Sequence, residues 1–217
     1  MAAALILTMA IGLPAGALVN VLADRVPVGS GAPSPWRIPG RRAFVAIATP
    51  AVVAATGLRF GPSSSLPAFV VFDVGLIALA IVDTEHHLLP KRIVYPCLAG
   101  VATLLVAAAL AAGDPRRLAV AVAAGVVTWL VFAGLHLVQP SAMGFGDVRL
   151  AAVIGLALGW LDATLPAVAV LVGCVTGVAA WSALRVAGRV TRSTPLPFGT
   201  FLALGSFVAV LATSPAP

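Results

Sequence analysis

The chain has 217 residues, 61% of them hydrophobic and 9% charged, with a formal net charge of +6 and a mean hydropathy of +1.10. A soluble domain needs far more polar surface to cover its core, so the composition excludes a water-soluble globule and predicts an all-α, polytopic bundle whose partner is the lipid bilayer. The 13 Lys and Arg residues are scattered singly or in pairs, which builds no basic face for nucleic acid and reads instead as a topology signal.

Long Ala, Leu and Val runs without polar alternation predict helices rather than membrane barrel strands. Eight apolar segments follow in order, at 2–22, 42–57, 66–84, 93–112, 118–138, 147–160, 164–185 and 197–213. The first, opening "MAAALILTMAIGLPAGALVN", lacks a basic start and runs past the length of a signal peptide, so it is expected to be a retained span. The second and sixth are short, which predicts little tilt or ends below the headgroups; seven spans and a re-entrant segment are the alternative. With eight spans the loops alternate sides. One side holds Arg25, Arg37, Arg41, Arg42, Lys91, Arg92, Arg149, Arg185, Arg189 and Arg192, and the other only Arg59, Arg116 and Arg117. The richer side is therefore predicted to be cytoplasmic, with both termini outside. Residues 1–217 read as one membrane-embedded domain, and 23–41 as a short cytoplasmic loop.

Polar residues in such a chain need a reason. Asp114 and Asp162 fall in outer turns, where capping suffices, and Asp24 is expected to pair with the adjacent Arg25. Asp83 closes the third span in "LIALAIVDTEHHLLPKRIVYP", and Asp147 opens the sixth in "MGFGDVRL". Topology puts both at the cytoplasmic membrane surface. Two carboxyls at one depth can share a proton, one activating water while the other polarises a scissile carbonyl, with no metal required. Gly144 and Gly146 are expected to leave room for an extended substrate backbone. The plainer reading of that turn is an N-cap aspartate. Asp73, deep in the third span, is a secondary candidate without an evident partner.

Among the neighbours, Arg149 is expected beside Asp147, pairing with it, orienting substrate or anchoring at the interface. Asn20 is expected to hydrogen-bond the active-site loop, and His136 to bond between helices. His86 and His87 point in directions about 100° apart on a helix, so with Glu85 they read as a polar turn and not as a metal site. Trp36, Trp129, Trp160 and Trp181 fit interface or lipid-facing packing. Cys97 and Cys174 lie in apolar spans with no metal or disulfide spacing.

Four stretches in order resemble the bacterial type IV prepilin peptidases. "GLPAGALVNVLADRVP" is similar to that family's Gly-x-x-x-Gly-Ser-Phe-x-Asn opening, with Ala17 at the serine. "VDTEHHLLPKRIVYP" and "GFGDVRLAAVIGLALGW" resemble its two aspartate segments, and "PLPFGTFLALG" its closing Pro-x-Gly-Pro-Phe-Leu-Ala, with Thr200 at the last proline. The resemblance implies catalytic aspartates at Asp83 and Asp147 in a multi-pass protein of the bacterial inner membrane. It implies a prepilin or pseudopilin substrate, cut at a Gly–x bond after a short basic leader on the cytoplasmic face. Longer members carry two Cys-x-x-Cys pairs between the first two spans, but residues 23–41 contain no cysteine, which excludes a tetrathiolate zinc site there. No cofactor is implied for cleavage; S-adenosylmethionine would serve only the N-methylation that longer members perform, which the lost insert leaves open.

Two rivals make different demands. Presenilin and signal-peptide-peptidase-like intramembrane proteases share Gly-x-Gly-Asp but pair it with Tyr-Asp and Pro-Ala-Leu, whereas here Val82 precedes the first aspartate and the closing segment reads "PLPFG". A small transporter using membrane acids as a proton relay would spread its acids through the midplane, where only Asp73 lies.

Overall fold

The computed structural model describes residues 2–26, 34–36, 38–140, 143–191 and 194–213, with side chains from residue 10 onward. Residues 27–33 and Arg37 of the predicted 23–41 loop, and also Arg192, lie outside the described residues. All eight apolar segments are helices: α1 Ala2–Asp24, α2 Arg41–Phe60, α3 Leu66–His86, α4 Lys91–Ala112, α5 Pro115–Val138, α6 Phe145–Leu161, α7 Leu165–Val186 and α8 Phe198–Ala212. Among the described residues there is no strand. Five helices, α2, α3, α4, α5 and α7, are long and apolar enough to cross a membrane.

Local chemistry sets the helix ends. Proline occupies the first turn of α3, α5 and α7, where its missing N–H costs nothing. Asp114 caps α5 by accepting from the Arg117 N–H at 3.0 Å. Asp162 accepts from the Thr164 N–H and hydroxyl at 2.8 and 2.6 Å, and these bonds hold its carboxyl below the usual carboxylate range. The second segment is not short: α2 has 20 residues. Its helical hydrogen bonding continues through charged ends that hydropathy trims away. Arg41, its first residue, bonds Asp24 of α1 and Glu85 of α3. Asp24 therefore pairs with Arg41 and Arg42, across the turn rather than with its sequence neighbour Arg25.

Consecutive helices pack as hairpins, α1 with α2, α5 with α6 and α7 with α8, while α3 touches α1, α2, α4, α6 and α8. Small residues permit the closest approach. At Gly155 of α6 a Cβ would lie 2.7 Å from the Ala124 carbonyl oxygen and 2.8 Å from the Gly125 Cα, so any side chain there would force α5 and α6 apart. The centre is apolar: Phe69, Phe72, Leu76 and Leu79 of α3 meet Leu150, Ile154 and Leu158 of α6 and Leu202 of α8 in one buried cluster. The outside is apolar too, with Ile47, Leu110, Leu137, Val138 and Val186 well exposed. That surface suits lipid and not water.

The polar groups collect at the two ends of the bundle. One end brings together Asp24, Arg41 and Glu85. At the other, Arg59 donates to the Thr213 hydroxyl at 2.7 Å, and Arg117 donates to the Trp160 carbonyl at 2.8 Å while stacking on its ring. Trp160 is thus buried rather than lipid-facing, because Arg117 covers its face.

Asp73 finds a partner that its sequence position did not reveal. It is 1% exposed, and Thr56 of α2 donates to its Oδ2 at 2.5 Å. Oδ1 is buried without a partner, beside a cavity of about 210 Å³ between α2, α3 and α8. Replacing Thr56 by Val removes that donor and is expected to destabilise the bundle by about 1–3 kcal/mol. Adding Asp73→Leu should recover most of the loss, since a buried polar group with no partner is worse than an apolar one. Thermal unfolding in detergent checks both variants.

Candidate active site

Asp83 and Asp147 reach the same end of the bundle by different routes. Asp83 lies in the last turn of α3, which stops at His87 in a left-handed conformation (φ 51°). The His87 N–H returns to the Asp83 carbonyl at 2.8 Å. Asp147 lies in the first turn of α6, whose cap position is held by Gly144. Asp147 is therefore not the N-cap: its own N–H donates back to the Gly144 carbonyl at 3.1 Å, and its carboxyl lies against the backbone of the same turn. The two residues are 5% and 8% exposed, too buried for solvated turn aspartates. They lie near enough for the charge on Asp83 to act on Asp147.

Leu89 holds this junction together. It leaves the α3–α4 turn and enters the notch made by two glycines, one beside each aspartate. A Cβ on Gly146 would sit 2.7 Å from the Leu89 Cβ; one on Gly199 would sit 3.1 Å from both Leu89 Cδ1 and Asp83 Oδ2. The space at Gly146 is thus taken by the chain itself, while a Cβ on Gly144 would make only ordinary contacts, with Asp147 Oδ2 at 3.6 Å and the Gly146 N at 3.9 Å.

The start of α8 completes the surroundings of Asp83. Helix N-termini expose unpaired N–H groups that favour an anion. Here the Thr200 N–H donates to Asp83 Oδ2 at 3.0 Å, and the Thr200 hydroxyl lies 3.3 Å from the same oxygen. A proline at this position, as in the motif that "PLPFGTFLALG" resembles, has neither group. The missed signal was the departure itself.

The other expected residues take different places. Arg149 lays its guanidinium over the rings of Phe145 and Tyr95, at 4.6 and 5.7 Å, and no described ion pair joins it to Asp147. The Asn20 amide reaches the Arg42 carbonyl at 3.5 Å, and its Oδ1 is buried without a partner. His136 does tie elements together, through Nδ1 to the Met143 carbonyl at 2.8 Å and an edge-on contact with Phe145. Glu85 bonds Arg41 at 3.0 Å, with His86 3.9 Å away, and His87 lies 3.4 Å from the Ser34 hydroxyl. Burial, then the neighbouring His86, keeps the His87 imidazole below the ordinary histidine range. Among the described residues no three His, Cys, Asp or Glu side chains come together as a metal-holding group. Trp36 roofs this end, donating through its ring N–H to the Pro195 carbonyl at 3.1 Å and meeting Phe201 edge-on.

Comparison with known proteins places this geometry in a lineage. Residues 70–182 match the type IV leader peptidase family, a span that includes both aspartates. A prepilin leader peptidase/N-methyltransferase of Bacillus subtilis (strain 168) is 34% identical over 166 residues, covering 76% of this chain and 63% of the relative. The protein of that description from Stutzerimonas stutzeri is 30% identical over 154 residues, with 70% and 52% covered. That from Pseudomonas aeruginosa is 30% identical over 173 residues, with 79% and 58% covered. The chain thus spans only about half to three-fifths of the length of these relatives. No solved structure matches it. A family match over more than half of the chain, on an all-helical bundle with several helices able to cross a membrane, is decisive: the chain belongs to the type IV leader peptidase family.

Proposed function

We propose that the chain is a membrane aspartic endopeptidase that removes the short basic leader from a type IV prepilin or pseudopilin. The reading rests above all on one observation: two aspartates 64 positions apart in sequence are both buried where α3, α6 and α8 meet around Leu89. The substrate's apolar helix lies in the bilayer among the spans, its leader stays cytoplasmic, and the Gly–x bond reaches Asp83 and Asp147. One carboxylate takes a proton from water as the water oxygen bonds the glycine carbon. The other, protonated, carboxyl polarises the glycine carbonyl. Collapse of the tetrahedral intermediate breaks the C–N bond, and a carboxyl returns a proton to the departing amine.

Gly144 and Gly146 belong to this site as the turn that sets Asp147, with Gly146 acting through its fit against Leu89. Arg149, stacked on Phe145 beside that turn, holds its outer edge, and Asn20 supports the α1–α2 contact. The excess of basic residues at this end favours the cytoplasmic face of a bacterial inner membrane. Cleavage by this pair needs no metal or cofactor. Methyl transfer, named for the relatives, is not assigned to the chain, since residues 23–41 hold no cysteine. The proton-relay alternative gains little from Asp73, whose Oδ2 is occupied by Thr56.

Co-expression with a prepilin tests the proposal. The mature pilin should run faster on a gel by the mass of the leader, and mass spectrometry of its new terminus should find the residue after glycine. An intact leader in the presence of the wild-type chain would refute the assignment; a terminus heavier by one methyl group would add methyl transfer to it.

A further inference from the structure

Thr200 is more than a link between α8 and α3. Its N–H and its hydroxyl both address Asp83, and both address the same oxygen, Oδ2, at 3.0 and 3.3 Å. The hydroxyl also lies 2.9 Å from the Ala80 carbonyl oxygen. That oxygen already accepts from the Thr84 hydroxyl, so it offers the Thr200 proton a crowded site. A threonine hydroxyl has one proton to give, and a backbone N–H can only donate. Oδ2 is therefore held as an acceptor at the N-terminus of α8, where a negative oxygen is favoured. Gly199 keeps this approach close, since a Cβ there would meet both Oδ2 and Leu89 at 3.1 Å.

We propose that Thr200 is a positioning residue: by committing Asp83 Oδ2 to its own N–H and hydroxyl, it makes Oδ1 the oxygen that reacts. The proposal rests on the reading of Asp83 as one of the catalytic pair. When water attacks, its O–H bond breaks, the proton goes to Oδ1, and the water oxygen bonds the glycine carbon. Oδ2 then becomes the carbonyl oxygen of the acid and still accepts from Thr200, so the side chain does not have to turn between steps. Removing the donors lets either oxygen take the proton, and only one of the two faces the substrate.

Two readouts test this in the purified full chain. The first needs no substrate. Infrared spectra identify the Asp83 carboxyl band as the one lost in Asp83→Asn. That band should shift in Thr200→Val, which lacks the hydroxyl, shift further in Thr200→Pro, which lacks the N–H as well, and return in Thr200→Ser. The second is leader release from a synthetic prepilin with a Lys/Arg leader, a glycine at the cut and an apolar helix. Loss of one hydrogen bond to a charged group predicts a kcat about 10-fold lower in Thr200→Val with KM unchanged, and recovery in Thr200→Ser. An unshifted band in both Val and Pro variants overturns the proposal, as does a Thr200→Ser variant no faster than Thr200→Val. Cleavage retained in Asp83→Asn would instead remove the catalytic reading of Asp83, and the reacting oxygen with it, while the infrared shift still reports whether Thr200 binds Oδ2.

Discussion

Asp83→Asn and Asp147→Asn are each expected to lower leader cleavage by about 1000-fold or more, on the order of 4 kcal/mol of transition-state stabilisation, while the protein still inserts and folds. An amide has the size of the carboxyl but can neither accept a proton from water nor return one to the amine. Folding should survive because neither aspartate carries an ion pair among the described residues. The Thr200 N–H that bonds Asp83 can bond the amide oxygen equally well. Leader release in detergent or nanodiscs, with thermal unfolding as the control, separates loss of chemistry from loss of structure.

Gly146→Leu is expected to lower cleavage by about 100-fold without touching either carboxyl. The glycine faces Leu89 with no room for a Cβ, which would lie 2.7 Å from the Leu89 Cβ. Because Leu89 also packs on Gly199 beside Asp83, the displaced turn moves both halves of the site. Overpacking of this kind costs about 1–3 kcal/mol of stability, and a misplacement of about 1 Å at reacting groups costs about 100-fold in rate. Gly144→Ala serves as the comparison. Its Cβ would meet Asp147 Oδ2 at 3.6 Å and the Gly146 N at 3.9 Å, both ordinary contacts, so its effect should be several-fold smaller. Equal effects at Gly144 and Gly146 would argue for a substrate-binding turn in place of a wedge.

The contrast between those two glycines also marks how far the chain could be read before its structure. The eight helices were legible, because apolar runs end at prolines and glycines with a direct backbone reason, as at Pro67, Gly113 and Pro115. Charged helix ends were not: hydropathy trims Arg41 from α2, although its bonds to Asp24 and Glu85 join three helices. That Asp83 and Asp147 lie toward one end of the bundle, on either side of Leu89, was expected from charge alternation and loop order. What brings them together was not, since nothing in a hydropathy pattern says that Leu89 fills the space beside Gly146. Arg149 and Asn20 illustrate the same limit. The guanidinium of one lies over Phe145 and Tyr95 and the amide of the other reaches the Arg42 carbonyl, contacts that spacing along the chain does not specify. Thr200 was visible as a departure from a resembled motif, yet its meaning needed the geometry of α8 against α3.

The claim that Asp83 and Asp147 act as one unit is tested most directly by comparing cleavage rates of the wild type, each Asp→Asn variant and the double variant on one prepilin. Groups that share a proton in a single step are strongly non-additive. The double variant should therefore be no slower than the slower single one. Losses that multiply in the double variant, or either single variant cutting at the wild-type rate, would contradict the shared dyad.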